Sequence, residues 1–170
     1  QASDVAEGGS IDGMCSKHTV HDIAEFYSPP RVVPVANKLG LKGDLSLDIK
    51  NGNNFLDAER RHRSIVLLYS QMIKFLILSP PCTPFSNIQQ LFNRAFMESP
   101  IGKQKLEEGM VLLNHSMQCA NVQVQRNNFF VFEHPWKASS WKKECVKDVK
   151  KLDGVEMVIF DQCCFGAVTK

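Results

Sequence analysis

The stretch Ile73-Lys74-Phe75-Leu76-Ile77-Leu78-Ser79-Pro80-Pro81-Cys82-Thr83-Pro84 is a near-continuous apolar run that ends at a cluster of prolines. Its first six residues read as a buried strand, because a short apolar run bounded by turn signals suits a strand covered on both faces. The adjacent prolines have no N–H to give to a ladder, so the chain must leave the sheet there, and Cys82 is carried to a loop at the strand tip. Upstream, His21 to Tyr27 has the same shape and ends in Ser28-Pro29-Pro30. Val32, Val33, Val35, Ala36 and Leu39 then recur at helical spacing, with Pro34 suited to a first turn and Gly40 placed to cap the end. Leu45 to Ile49 is a second short strand, broken by Asn51-Gly52-Asn53-Asn54, which puts Asp48 near its carboxyl end. Leu56 to Tyr69, with Arg60, Arg61, Arg63 and an apolar face of Ile65, Val66, Leu68 and Tyr69, reads as an amphipathic surface helix.

Downstream, residues 84–103 read as a long connection with one helical turn, of the length that usually marks a functional lid or disorder. From Lys103 onward Leu106, Met110, Leu113, Met117, Ala120 and Val124 step by three and four, the cleanest amphipathic helix in the chain. Phe129 to Phe132 is a strand that ends in Glu133-His134-Pro135. A helix around Ser140 to Leu152 and a strand from Val155 to Phe160 follow. Alternating strands and helices predict an α/β domain with a largely parallel sheet, right-handed crossovers and helices on both faces. In such sheets ligands bind beyond the carboxyl ends of the strands, where Ser, Pro, Cys, Glu, His and Asp are concentrated here.

A length of 170 residues, 44% of them hydrophobic, suits one domain, read as residues 20–170 behind a flexible leader at 1–19 rich in Gly, Ser and Asp. Twenty basic against eighteen acidic residues leave a net charge of +2, so any nucleic-acid affinity must come from a local patch. No apolar run approaches the ~20 residues of a membrane span, and no secretory signal follows Gln1. The missing initial Met suggests a fragment. Six cysteines without the spacing of a secreted scaffold read as reduced thiols, which predicts a soluble protein of the nucleus or cytoplasm. Cys15, His18 and His21 lack a second ligand pair, so no metal is expected.

Cys82 has two readings. Its proline-flanked loop holds the thiol at the rim, where a nucleophile would be, although cysteine is also among the residues that most often simply pack. Glu133 is either a proton donor and acceptor for a bound heteroaromatic ring or a strand-end acid that caps a turn. Trp136 and Trp141 beside Lys137, Lys142 and Lys143 form either a stacking and phosphate-contact patch or a helix anchor with a solvated face.

The order of these motifs resembles the cytosine-C5 methyltransferases that use S-adenosylmethionine. Glu25-Phe26-Tyr27-Ser28 looks like the Asp-Leu-Phe-Ser that opens the family's cofactor motif, and Leu45-Ser46-Leu47-Asp48 looks like the next strand with its ribose-binding acid. Ser79 to Ser86 looks like the Pro-Cys motif with its downstream Phe-Ser, and Phe132-Glu133 looks like the start of Glu-Asn-Val. The resemblance implies a Rossmann-like sheet of the S-adenosylmethionine-dependent methyltransferase type. It further implies Cys82 as the nucleophile that adds to cytosine C6, Glu133 as the acid at N3, and Tyr27, Ser28, Asp48 and Pro80 around the cofactor. Ser86, Arg94 and Lys103 would contact nucleic acid from a lid, with DNA as the substrate and RNA as the alternative.

Pro29-Pro30-Arg31 stands where the family has a Gly-rich turn, and His134-Pro135 stands for Asn-Val. Against the family's pattern no target-recognition domain is expected within these residues, and a second chain or domain is expected to complete the sheet or supply recognition. The likeness is greatest to divergent methyltransferase-like proteins of some mobile elements and protists that carry Ser-Pro-Pro-Arg and Glu-His-Pro motifs. The competing expectation is a catalytically inactive module of this type that binds nucleic acid or a protein partner.

Overall fold

The computed structural model describes residues 20–165, so the expected leader lies outside the described residues. Four parallel strands, β1 (Val20–Phe26), β2 (Leu45–Leu47), β3 (Met72–Leu78) and β4 (Phe129–Phe132), form one sheet in the order β2-β1-β3-β4. The chain steps left from β1 to β2 and then returns to the right of β1 with β3, which places the reversal of strand order between β1 and β3. β4 is the outer strand, with Leu76 opposite Phe130 and Leu78 opposite Phe132.

Alternation along the strands sorts the core into two layers. Ala24, Phe26, Leu76 and Leu78 face one side, where α2 (Ala58–Ser70), α5 (Pro100–Gln125) and α6 (Glu144–Lys150) bring Leu68, Leu113, Met117, Ala120, Val146 and Val149 against them. Ile23, Phe75 and Ile77 face the other side, where α1 (Val32–Lys38) supplies Val33 and Ala36. Helices thus cover both faces, but unequally, and α1 is too short to reach β4. Gly40, at φ +81°, follows α1 as its sequence position predicts.

Three sequence expectations are corrected. Residues 84–103 are not a loop with one turn: a 3-10 turn at Thr83–Phe85 leads into α3 (Asn87–Phe92) and α4 (Arg94–Glu98), and α5 already begins at Pro100. Helices of five or six residues are too short to show a period in sequence, and Pro100 is a first-turn residue behind the Ser99 cap, whose hydroxyl accepts from Gly102 N. Val155 to Phe160 is not a strand. It is an irregular segment, because strand formation needs a neighbour's hydrogen bonds as well as apolar β-formers. The last helix is shorter than expected, a 3-10 turn at Ser139–Lys142 followed by α6.

Candidate functional site

The carboxyl ends of β1, β2 and β3 surround a cavity of about 480 Å³ at the reversal of strand order, lined by Tyr27, Asp48, Phe55, Pro81, Thr83 and Gly109 among others. Its size falls in the range of small-molecule and cofactor sites, ~300–1,000 Å³. Each wall is fixed by a different local device.

Tyr27 has φ 68°, a left-handed conformation that costs a non-glycine residue ~1–3 kcal/mol. Its far end holds it there. The hydroxyl lies 2.5 Å from His115 Nδ1 and 3.1 Å from the Leu112 carbonyl of α5, and the ring packs on Phe55 with centroids 4.9 Å apart. His115 in turn reaches Ser64 Oγ of α2 at 2.8 Å. Burial, aided by Arg61, lowers the His115 pKa to about 4, so the imidazole is neutral near pH 7. Burial also raises the Tyr27 phenol well above its usual value. The ring is therefore a fixed neutral wall.

Before Tyr27, the Glu25 carboxylate turns back beneath the prolines and accepts from the backbone N–H groups of Arg31 (2.8 Å), Val32 (3.2 Å) and Val33 (3.2 Å). A buried acid thus satisfies the orphan donors at the start of α1 and holds the Pro29-Pro30 loop without a glycine-rich turn. In sequence Glu25 stands only as a motif position. The signal that it is structural is its alternation with Ile23 toward the α1 side.

Asp48 lies on the cavity wall, buried, with one oxygen capping the following turn at Lys50 N (2.9 Å). Ser28 and Pro80 do not line the cavity. The Ser28 hydroxyl donates to the Pro29 carbonyl, and the Pro80 carbonyl accepts from His134; Pro81 is the proline that reaches the wall.

Cys82 and Glu133 sit at the ends of neighbouring strands, joined by the Glu133 N–H donating to the Leu78 carbonyl at 3.0 Å. Cys82 is half-buried and Glu133 exposed. Desolvation raises the Cys82 thiol pKa, and the charge of Glu133 raises it further. The two side chains are therefore electrostatically coupled. His134, which follows Glu133 at the strand end, turns inward. Its Nε2 donates to the Pro80 carbonyl (3.1 Å), which leaves Nδ1 to accept from the Ser140 hydroxyl (2.7 Å). Burial lowers its pKa to about 4. This imidazole ties the Cys82 loop to the Glu133 strand end, and Ser139 Oγ donating to the Phe85 carbonyl (3.2 Å) adds a second tie.

From below, Gly109 of α5 lets the same loop seat closely: a Cβ there would come within 2.9 Å of Pro84 Cγ. Above the cavity, α3 and α4 contribute Gln89, Phe96 and Met97, which the sequence did not single out. Of the residues expected to contact nucleic acid, none lines the cavity. Ser86 starts α3, Arg94 is paired with Glu98 at 2.8 Å, and Lys103 is exposed in the first turn of α5. Trp141 anchors to the Pro135 carbonyl and the Phe132 ring, whereas Trp136 is exposed.

Among the described residues no cluster of three or more His, Cys, Asp or Glu side chains could hold a metal ion, and no helix is long and apolar enough to cross a membrane. The five described cysteines are free thiols. No protein-family model, curated protein or solved structure matches the chain.

Proposed function

We propose that this domain is a cytosine-C5 methyltransferase acting on DNA, with Cys82 as nucleophile and Glu133 as the ring-binding acid. The observation that carries the reading is the placement of a half-buried thiol and a carboxylate at the ends of neighbouring strands, next to a nucleoside-sized cavity whose wall includes Pro81 and Thr83 on either side of Cys82. Cytosine C5 is a poor nucleophile until a thiolate adds at C6. In the proposed step the Cys82 thiol gives its proton to solvent as the Sγ–C6 bond forms, and N3 takes up a proton through the Glu133 carboxyl, so that the ring electrons are available at C5 to take a methyl group. Once C5 carries that group its own proton would be lost to solvent, the N3 proton would return through Glu133, and the Sγ–C6 bond would break to restore the ring and release the thiolate. A base in duplex DNA must first leave the stack.

The cavity residues fit an adenosine-bearing cofactor. Tyr27 and Phe55 offer aromatic faces, and Asp48 has a carboxyl oxygen beyond the one used in its cap to accept from ribose hydroxyls. When bound there, S-adenosylmethionine would supply the methyl group. Glu133 has a second use: its charge helps to hold Cys82 protonated, so a base that engages the carboxyl also makes the thiol easier to ionise.

One observation favours a catalytically inactive module that binds nucleic acid or a protein. Burial and Glu133 keep the free Cys82 as a thiol, and the one influence that lowers its pKa is a backbone hydrogen bond. Two measurements separate the readings. Calorimetry with S-adenosylmethionine should show binding near micromolar, about −8 kcal/mol. A DNA oligonucleotide containing 5-fluorocytosine should then form a covalent adduct that Cys82→Ala abolishes. An adduct on the matching RNA alone would transfer the reaction to RNA. No heat with the cofactor and no adduct on either strand would leave the binding module.

A further inference from the structure

The outer strand β4 reads Phe129-Phe-Val-Phe132 and contains no Lys, Pro or Gly of the kind that normally guards a sheet edge. One of its edges pairs with β3, and no described strand pairs with the other. On the face that α1 covers at β1 and β3, but beyond the end of that cover, Phe129 is 68% and Val131 44% exposed. Beside this edge runs the irregular segment from Val155, in which Val158 is 74% and Ile159 55% exposed. The β4 edge and this segment, through Val155 to Val158 and Phe160, line a single groove of about 500 Å³. Lys150, Asp153 and Glu156 stand around it, one cation against two carboxylates.

We propose that a second copy of this chain covers this face, with the β4 edge and the Val155–Phe160 segment of one copy against those of the other about a two-fold axis. Three features select this occupant. An open strand edge offers N–H and C=O groups that only another backbone satisfies in series, which disfavours a small apolar ligand. The groove's lining carries one cation, Lys150, rather than a cluster of basic side chains for phosphates, which disfavours nucleic acid and anionic lipid. A two-fold contact puts identical surfaces together, so the apolar strip meets an apolar strip, and the cation Lys150 of each copy meets a surface that carries Asp153 and Glu156. Removal of Phe129, Val131, Val158 and Ile159 of each copy from water drives the contact.

Sedimentation velocity of the full chain tests this. The mass should rise from one chain toward two between about 1 and about 100 µM, the range in which a contact of this kind assembles. Val131→Lys and Val158→Glu should each hold the protein at one chain across that range with unchanged circular dichroism. Should a variant fail to fold, hydrogen exchange on the unmodified protein at the two concentration limits decides. The amides of Phe130–Phe132 and Val155–Ile159 should slow at the higher concentration. A single-chain mass throughout, or an assembly that protects other segments, would overturn the proposal. The surface lies apart from the cavity, Cys82 and Glu133, so this outcome leaves the cofactor and adduct measurements unaffected.

Discussion

At the rim of the sheet, polar groups on adjoining loops are matched one by one. His134 joins the Pro80 carbonyl to the Ser140 hydroxyl, His115 joins Tyr27 to Ser64, and Glu25 takes three backbone donors at the start of α1. Along the outer edge of β4 the same strand presents Phe129 and Val131 to solvent, next to Val158 and Ile159. Both regions are built from strand ends and short connections, so the contrast does not come from the kind of element. It comes from where rigidity is required. Fixing loops by buried, neutral hydrogen-bonding side chains costs desolvation and is worth that cost where side chains must hold a set geometry. Apolar side chains left in the open carry no such constraint and instead mark a surface that awaits cover.

Acid should break the rim first. His115 and His134 both have pKa values lowered from 6.5 to about 4, so between those pH values the unfolded chain binds two protons that the folded chain does not. Their contribution is therefore fully present above pH 6.5 and is lost as pH falls toward 4. Each is worth up to ~3 kcal/mol over that window. Asp22 and Glu108, whose pKa values are lowered from 3.8 and 4.5 by hydrogen bonds from Lys74 and Lys105, add to the loss only toward the acid end of this window and below it. Urea unfolding at a series of pH values should show a slope near two protons around pH 5, and near one in His134→Asn. A stability that stays flat from pH 6.5 to 4.5 would show that these rings are not buried as described.

Packing should separate the two regions next. At Gly109 an added Cβ comes within 2.9 Å of Pro84 Cγ and 3.3 Å of the Phe85 ring, both in the loop that carries Cys82. Gly109→Val should cost ~1–3 kcal/mol through overpacking, despite relieving a helix of its glycine. Val158→Ala at the exposed edge should stay within ~0.5 kcal/mol. Denaturant midpoints measured below the concentration at which the chain associates would compare the two directly. Equal effects would erase the distinction between a packed rim and an open edge.

How far the sequence could be read follows the same division. The strands β1, β3 and β4, the long helix α5 and the placement of Cys82, Asp48 and Glu133 at strand ends were legible, because period, proline stops and strand length are local properties. The inward turn of His134 was not, since its partners Pro80 and Ser140 lie 54 and 6 residues away and only the fold brings them together. Nor was Glu25 as the cap of α1, because capping is normally read from a residue next to the helix, and here the acid comes from the preceding strand. The helices α3 and α4 were too short to show a period. Val155–Phe160 has the composition of a strand, yet composition cannot say whether an edge accepts it.

The smallest expected effect sharpens the comparison most, because it tests a contact within the rim that is electrostatic alone. Burial is the larger cause of the raised Cys82 pKa and remains after Glu133→Gln, whereas the charge contribution disappears. The thiol pKa should therefore fall but stay above its ordinary value, and the thiolate fraction at a fixed, mildly alkaline pH should rise. A few-fold faster alkylation by iodoacetamide is expected, since the thiolate is the reacting form. Peptide mass spectrometry keeps Cys82 distinct from exposed Cys163 and Cys164, which should react at equal rates in both proteins. An unchanged Cys82 rate would mean that Glu133 does not act on the thiol, and with it would go the argument that a base engaging Glu133 readies Cys82. A faster rate would make the pair a coupled unit in the protein alone, which the β4 edge, with its uncharged side chains, has no means to be.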